Sequence, residues 1–473
     1  MSEKPGSLRR VLSPLDATCI VIGSVIGVGI FFTPARVAAV AGSANLALFA
    51  WGIGAVIAML GALCFAELGG LYTGSGGQYN ILRDAYGPLP AFLFVFCNAT
   101  AIQTGATAII SVVCMNNLGV LFTGSAPGTR VLPIGASLLI IGLIAANILG
   151  VRFGARIQIV TVFAKVATLI VVSLLAVWHG TAATRHPAVE STSSLGIVAA
   201  LAAAVVPVCF SYGGWQHVLW IAGEVRDPQR NVPRAIIGGM IVVAIVYLSA
   251  NWAYLALLGH AAVASSKALA ADAVSVAWVG GGRRVLAGAV AMSAFGVLNA
   301  QLLSGPRLVY GMAVDGRFFK PFARVHPRYG TPHASIGLIG GIALVLLWVA
   351  GSEAVDRLTT GVVAIDGVFF ALTGLAVIVL RRRMRNAHRP VRTPGYPMVP
   401  ILFALFEIAV VCGAFLDPNV RQSAVIAIIW IVAAAVMYAV CFRNVGTRVT
   451  PSASLASNPN PRPTPAAKGD TDA

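Results

Sequence analysis

Two long apolar runs in this chain are pinched by glycine, one at Gly27-Val28-Gly29 and the other at Ser211-Tyr212-Gly213-Gly214. In hydrocarbon, every backbone polar group must be bonded within its own segment, so a break at mid-depth survives only where it is buried in protein or lines a cavity. Interrupted helices at matching positions of two internal halves mark a small-molecule site near the membrane midplane.

The rest of the chain reads as membrane-embedded. Of 473 residues, 58% are hydrophobic and 10% charged, outside the range of soluble domains. Runs able to cross about 30 Å of hydrocarbon number twelve, near 15–40, 45–71, 89–118, 132–149, 155–178, 197–224, 235–258, 284–313, 332–350, 358–380, 397–415 and 422–442. A formal charge of +17 invites a nucleic-acid reading, but the basic residues are sorted by side. Twenty-three fall in segments assigned to one face, among them Arg83, Arg226, Arg317 and the Arg381 to Arg392 cluster, and eight on the other. By the positive-inside rule this places both termini in the cytoplasm of a cell (inner) membrane protein, with no nucleic-acid partner. The first run is too long for a cleavable signal and leads straight into a second span. Seven cysteines lie in or beside predicted helices without CxxC spacing, so neither zinc nor a disulfide framework is indicated, and no cofactor motif is visible.

Spans one and six, two and seven, and so on to five and ten are offset by about 190 to 200 residues. The reading is an all-α membrane protein of two five-helix repeats, 15–180 and 196–380, with two further helices in 397–442. Because five is odd, the second copy enters from the opposite side and is inverted. Residues 1–14 form a cytoplasmic lead-in, and 446–473, rich in Pro, Ser, Ala and Asn, reads as a disordered tail.

Interrupting span one leaves Ile30 to Ala41 starting at mid-membrane with unbonded first amides and a positive dipole end, which attract an anion. The carbonyls near Val25 and Ile26, and those of Phe210 and Ser211, are complementary acceptors for a cation. A zwitterion with carboxylate and ammonium on adjacent atoms satisfies both, so an α-amino acid is the expected ligand.

The residues Gly23-Ser24-Val25-Ile26-Gly27-Val28-Gly29-Ile30-Phe31, Phe65-Ala66-Glu67-Leu68-Gly69, Phe210-Ser211-Tyr212-Gly213-Gly214-Trp215, Gly223-Glu224 and Asn231-Val232-Pro233-Arg234-Ala235 carry a family resemblance. They resemble the amino acid, polyamine and organocation transporter superfamily, most of all its L-type amino acid transporter group and bacterial serine/threonine exchangers. The resemblance implies a leucine-transporter-type fold and alternating access. It implies that Val25, Gly27, Val28 and Gly29 receive the carboxylate, and that Val25, Phe210, Ser211 and Gly213 receive the amine. Val28 replaces the serine common in that motif, which removes a side-chain hydroxyl from the site. Phe210 resembles an outer gate, against the alternative of an ordinary packed ring. Trp215 is expected to shape the side-chain compartment.

Lys165 falls mid-span, where an ammonium costs at least ~2.5–3.5 kcal/mol unless partnered. In family members with a lysine in this position, the amine stands where sodium binds in sodium-coupled relatives, which implies sodium independence. It serves either as a proton-coupling group or as structural glue. Asp366, in span ten, pairs with Lys165, meets a polar substrate or caps a bent helix. Glu67 and Glu224, near arginine-bearing loops, are expected in an inner gate, and Glu407 is read as structural. His217 is read as hydrogen-bonded structure rather than a proton sensor.

The expected function is sodium-independent secondary transport of neutral L-amino acids, as an exchanger or a proton-coupled symporter. Transport of cationic amino acids or polyamines is the alternative, favoured if Asp366 points into the pocket. An embedded enzyme lacks a nucleophile, metal or phosphate motif here, and a channel lacks a filter. The loop Val120 to Val131 has no cysteine to link an accessory glycoprotein, so none is expected.

Overall fold

The computed structural model describes residues 8–179, 196–266, 269–277, 282–416 and 418–443, with the side chains of 271, 350–365 and 414–424 outside that description. The expected tail, 446–473, lies outside it too. The described residues are helical, joined by short turns, with one parallel bridge between Leu12 and Val225.

The first apolar run forms α1 (Pro14–Val25) and α2 (Gly29–Ala41), bent by 42° at the glycine pair. Local chemistry sets the start of α1. Ser13 accepts from the Asp16 amide at 3.2 Å while the Asp16 carboxylate accepts from the Ser13 amide at 2.7 Å, a reciprocal cap, and Pro14 supplies a preset φ. Then come α3 (Ala44–Leu71), α4 (Gly77–Tyr86), α5 (Pro88–Cys97) and α6 (Gln103–Thr123), the last two joined by a π-turn at Asn98–Ile102. The first half closes with α7 (Val131–Leu149) and α8 (Val151–His179).

The second half opens on α9 (Ile197–Tyr212), which stops at Gly213-Gly214 and resumes as the four-residue α10 (His217–Trp220) and a 3-10 turn at Ala222–Glu224. It continues through α11 (Pro228–Leu258), α12 (His260–Ser265), α13 (Leu269–Ala277), α14 (Gly282–Ser304), α15 (Pro306–Val314) and α16 (His333–Arg383), then α17 (Met398–Leu416) and α18 (Pro418–Cys441). Among the described residues, seven spans are long and apolar enough to cross a membrane, or eight if α1 and α2 count as one. Shorter apolar stretches at His333–Val349, Met398–Gly413 and Val425–Cys441 add to these.

The runs 332–350 and 358–380 fall within one helical element, His333–Arg383. Beyond Gly351 the intervening Ser352 to Arg357 contains no proline or glycine. The two ends of this element return to one end of the molecule. Ser335 donates to the Phe322 carbonyl at 3.2 Å and Arg383 to the Asp84 carbonyl at 2.8 Å, while Arg83 pairs with Asp315 at 3.0 Å. A straight helix of 51 residues would reach ~76 Å at 1.5 Å per residue, so α16 is bent and its arms fold back toward one another.

The sequence-assigned basic segments meet at that same end. Arg83 pairs with both Asp84 and Asp315, and Tyr79 donates to Asp315 at 2.7 Å. Arg307 pairs with Glu224 at 2.7 Å, both fully buried. The Val11 and Leu12 amides both donate to the Glu224 carbonyl at 2.9 Å, and the Arg226 amide returns to the Leu12 carbonyl. The lead-in to α1 is thus stitched to the segment that follows the second break.

Removing one member of a buried ion pair strands the other, at a cost of about 3–5 kcal/mol. Glu224→Gln is therefore expected to lower the thermal unfolding midpoint of the detergent-solubilised protein sharply, and adding Arg307→Met is expected to recover part of the loss. A single variant that melts like the parent would show that the pair contributes nothing to stability.

Candidate functional site

The two breaks touch. Gly214, at φ +129°, packs its α-carbon so close to the first break that a Cβ there would lie 2.6 Å from the Ser24 carbonyl oxygen and 2.9 Å from the Val25 nitrogen. Only glycine fits, because both the conformation and the backbone neighbour exclude a side chain. On the other side of the gap, a Cβ at Gly29 would lie 3.4 Å from the Ser211 hydroxyl. The predicted Gly27-Val28-Gly29 and Ser211 to Gly214 segments therefore form one locus.

Each freed backbone group near this locus can be followed. The Tyr247 hydroxyl, on α11, lies 2.9 Å from the Val25 carbonyl and 3.2 Å from the Ser211 carbonyl, so its one proton is shared between the two breaks, with Val25 the nearer acceptor. The Gly27 amide also donates to the Val25 carbonyl, at 2.7 Å. Both lone pairs of the Val25 carbonyl are thus occupied. The Phe210 carbonyl accepts from the Gly213 amide at 3.3 Å and keeps one lone pair open. At the start of α2, the Gly29 and Ile30 amides have no carbonyl one turn earlier, and Val28 at the N-cap supplies no side-chain cap. The locus therefore holds donors, the first amides of α2, and acceptors, the Phe210 and Ser211 carbonyls, of opposite polarity.

Lys165 lies fully buried on α8. Its ammonium donates to the Ile26 carbonyl at 2.6 Å and the Gly23 carbonyl at 3.0 Å. It also stands 3.2 Å from where a Cβ would sit on Gly296 of α14. Ser293, one turn earlier on α14, donates to the Gly27 carbonyl at 3.1 Å. The lysine thus occupies the space between the end of α1 and α14, and its partners are main-chain carbonyls rather than Asp366. Beside it, Asn299 of α14 donates to the Gly154 carbonyl and the Gln158 side chain and accepts from Asn147, so a buried amide ladder joins α7, α8 and α14.

Phe210 holds its ring half exposed, outside the packed core. Trp215 is buried within an aromatic cluster, 5.6 Å from Phe370, 6.0 Å from Phe65 and 6.3 Å from Phe403, and its Nε1 has no partner. Asp366 lies one turn before Phe370, within electrostatic reach of Glu407, and its Oδ1 is buried without a partner. His217 bonds through Nδ1 to the Ser304 hydroxyl. Glu67 is held by Arg381 at 2.6 Å and Arg389 at 3.2 Å, and Glu224 by Arg307. Both gate candidates thus carry ion pairs at the basic end of the molecule.

Sequence reasoning missed Tyr247 and Ser293. A buried tyrosine hydroxyl needs a partner, and Tyr247 in its apolar run was a visible signal, but its partners lie 36 and 222 residues away. Tyr247 also packs against Trp51 of α3 and Tyr212 of α9, at 5.6 and 5.0 Å, which fixes its ring between the two breaks.

Gly214→Ala should abolish the folded, monodisperse protein in size-exclusion chromatography, because the methyl meets backbone. Tyr247→Phe, which removes only the hydroxyl, should fold with a loss of about 1–3 kcal/mol in thermal unfolding. A well-folded Gly214→Ala protein with the parent's melting point would refute the contact.

The chain matches the amino acid permease family over residues 12–443. It is 29% identical to the serine/threonine exchanger SteT of Bacillus subtilis (strain 168) over 409 residues, covering 85% of this chain and 90% of that one. It is 31% identical to the b(0,+)-type amino acid transporter 1 of Mus musculus over 421 residues, with 86% and 83% covered. With the Asc-type amino acid transporter 1 of Mus musculus it shares 30% identity over 415 residues, with 85% and 75% covered. The helices, the breaks and these matches lead to one conclusion: the chain belongs to the amino acid permease family and is a multi-pass membrane transporter of amino acids, not an enzyme.

Proposed function

We propose that this transporter carries neutral L-amino acids by sodium-independent alternating access, as an exchanger or a proton-coupled symporter. In this reading it is built of twelve spans in a five-plus-five inverted repeat, with both termini in the cytoplasm. The observation that carries the reading is the direct contact between the two breaks, Gly214 against Ser24 and Tyr247 across Val25 and Ser211. The substrate carboxylate docks on the Gly29 and Ile30 amides, and the ammonium on the Phe210 and Ser211 carbonyls. The groups bordering those sites, Val28, Phe210 and Gly213, are uncharged, which suits a neutral side chain.

Lys165 supports sodium independence. Its ammonium already satisfies the Gly23 and Ile26 carbonyls, leaving those oxygens to a fixed cation that belongs to the chain. The ion pairs of Glu67 and Glu224 hold the cytoplasmic side closed, while the half-exposed Phe210 ring leaves the outer side unlatched. The reading also keeps the chain independent of an accessory subunit, since 120–131 contains no cysteine. One relative, at 30% identity, is named as the small subunit 2 of a large neutral amino acid transporter, so the point is settled by whether this chain transports alone.

One observation favours a second reading. The orphaned Asp366 Oδ1, one turn from the Phe370 ring that stacks on Trp215, is an open acceptor for a cationic side chain.

Purified protein in liposomes, without any partner, is expected to take up labelled neutral amino acids, faster with internal amino acid or an inward proton gradient, and indifferently to sodium. If arginine or a polyamine is instead the preferred substrate and Asp366→Asn lowers its uptake about ten-fold or more, as loss of a charge-assisted bond allows, the second reading replaces the first. Lys165→Ala is expected to abolish or deregulate this flux, and Glu407→Gln to leave it largely intact. Unchanged rate and pH dependence in the lysine variant would remove Lys165 from the mechanism.

A further inference from the structure

The end of α16 and the turn to α17 border an open cleft of about 220 Å³ lined by Arg381, Arg385, Arg389 and Arg392. A basic loop at a membrane surface ordinarily spreads its charges outward into solvent. Here four guanidinium groups share one concavity, and the only carboxylate bonded to any of them among the described residues is Glu67.

That carboxylate is fully used. Its Oε1 accepts from Arg381 Nε at 2.8 Å and pairs with Arg389 Nε at 3.2 Å, and its Oε2 accepts from Arg381 Nη2 at 2.6 Å and the Thr393 amide at 2.7 Å. Arg381 is further fixed by the Tyr396 ring, 4.1 Å away, and by the Thr393 carbonyl. Arg389 is fixed by the Leu380, Met384 and Ala387 carbonyls at the end of α16. Burial, with Arg381 and Arg392 adding their repulsion, pulls the Arg389 pKa below its ordinary value against the attraction of Glu67. Arg385 and Arg392 are exposed, and neither donates to an acceptor among the described residues. Two arginines are therefore held rigidly and two are free to close on an anion. Guanidinium forks bind phosphate oxygens in pairs, so a phosphate group matches this donor set better than a single-point anion.

Six residues beyond Arg392, α17 begins with an exposed apolar stripe. Met398, Leu402 and Leu405, on successive turns of α17, are 57%, 38% and 57% exposed. The geometry points to a binding site for an anionic phospholipid of the adjacent leaflet, its phosphate among Arg381, Arg385, Arg389 and Arg392 and an acyl chain along Met398, Leu402 and Leu405. The site goes beyond amino acid transport and stands whichever substrate the carrier moves. Because Arg381 and Arg389 also hold Glu67, the lipid phosphate shares their charge with that carboxylate, and its occupancy bears on how firmly α3 is tied to the end of α16.

The test uses full-length protein in neutral detergent and reads its thermal midpoint during titration with phosphatidylglycerol, phosphatidylcholine or inorganic phosphate. Phosphatidylglycerol is expected to raise the midpoint with half-saturation about ten-fold or more below that for phosphatidylcholine. Arg385→Ala with Arg392→Ala should remove that preference while leaving the lipid-free midpoint in place. Arg382→Ala, a change just outside the cleft, should retain it, and Arg392→Gln alone should weaken it if the double variant folds poorly. Equal responses to the two lipids, or an undiminished preference in the arginine variants, would overturn the site. Stabilisation by inorganic phosphate that phosphatidylglycerol cannot exceed would also overturn it, assigning the cleft to a soluble phosphate instead.

Discussion

Everything in this transporter depends on how the peptide groups freed by two broken helices are satisfied without water. A carbonyl left bare in hydrocarbon costs several kcal/mol, and breaking α1 and α9 creates several at once. The protein meets part of this demand with side-chain donors from neighbouring helices: Lys165 from α8, Tyr247 from α11 and Ser293 from α14. The groups left over, the first amides of α2 and one lone pair of the Phe210 carbonyl, have opposite polarity. In the function proposed above, they are what a zwitterion would meet.

The same satisfaction ties the site to the bundle. Tyr247 reaches both breaks with one hydroxyl, so α1 and α9 cannot separate at this level without losing a shared donor. Lys165 and Ser293 attach the end of α1 to α8 and α14 in the same way. At the basic end, Glu67 joins α3 to α16, Glu224 joins the second broken helix to α15, and Arg83 joins α4 to α15. Side-chain bonds to main-chain carbonyls at the breaks and ion pairs at the basic end divide the work of holding this conformation.

Much of the site was legible in the sequence because glycine pairs and intramembrane charges are rare and locally meaningful. Both breaks, the burden of a lysine within an apolar run, and the carboxylates Glu67 and Glu224 near arginine-bearing segments could be read from position and residue type, whereas the place of Lys165 beside the first broken helix came only from the family resemblance. What was not legible is long-range. Nothing local distinguishes Tyr247 from an ordinary packed tyrosine, and nothing in Asp366 reveals that Lys165 bonds to main-chain carbonyls instead of to it. The helix α4 escaped notice because Tyr79, Asn80, Arg83 and Asp84 give it a polar composition, invisible to a reading based on apolar runs.

The bridge between Leu12 and Val225 has a bearing on motion. Three main-chain hydrogen bonds fasten the strand ahead of α1 to the exit of the second broken helix, two of them on the Glu224 carbonyl. Since Glu224 is also the carboxylate that clasps Arg307, the segment just ahead of α1 is tied to the same buried ion pair. Opening that side of the carrier requires either that this strap travel with α10 as one body or that it let go first.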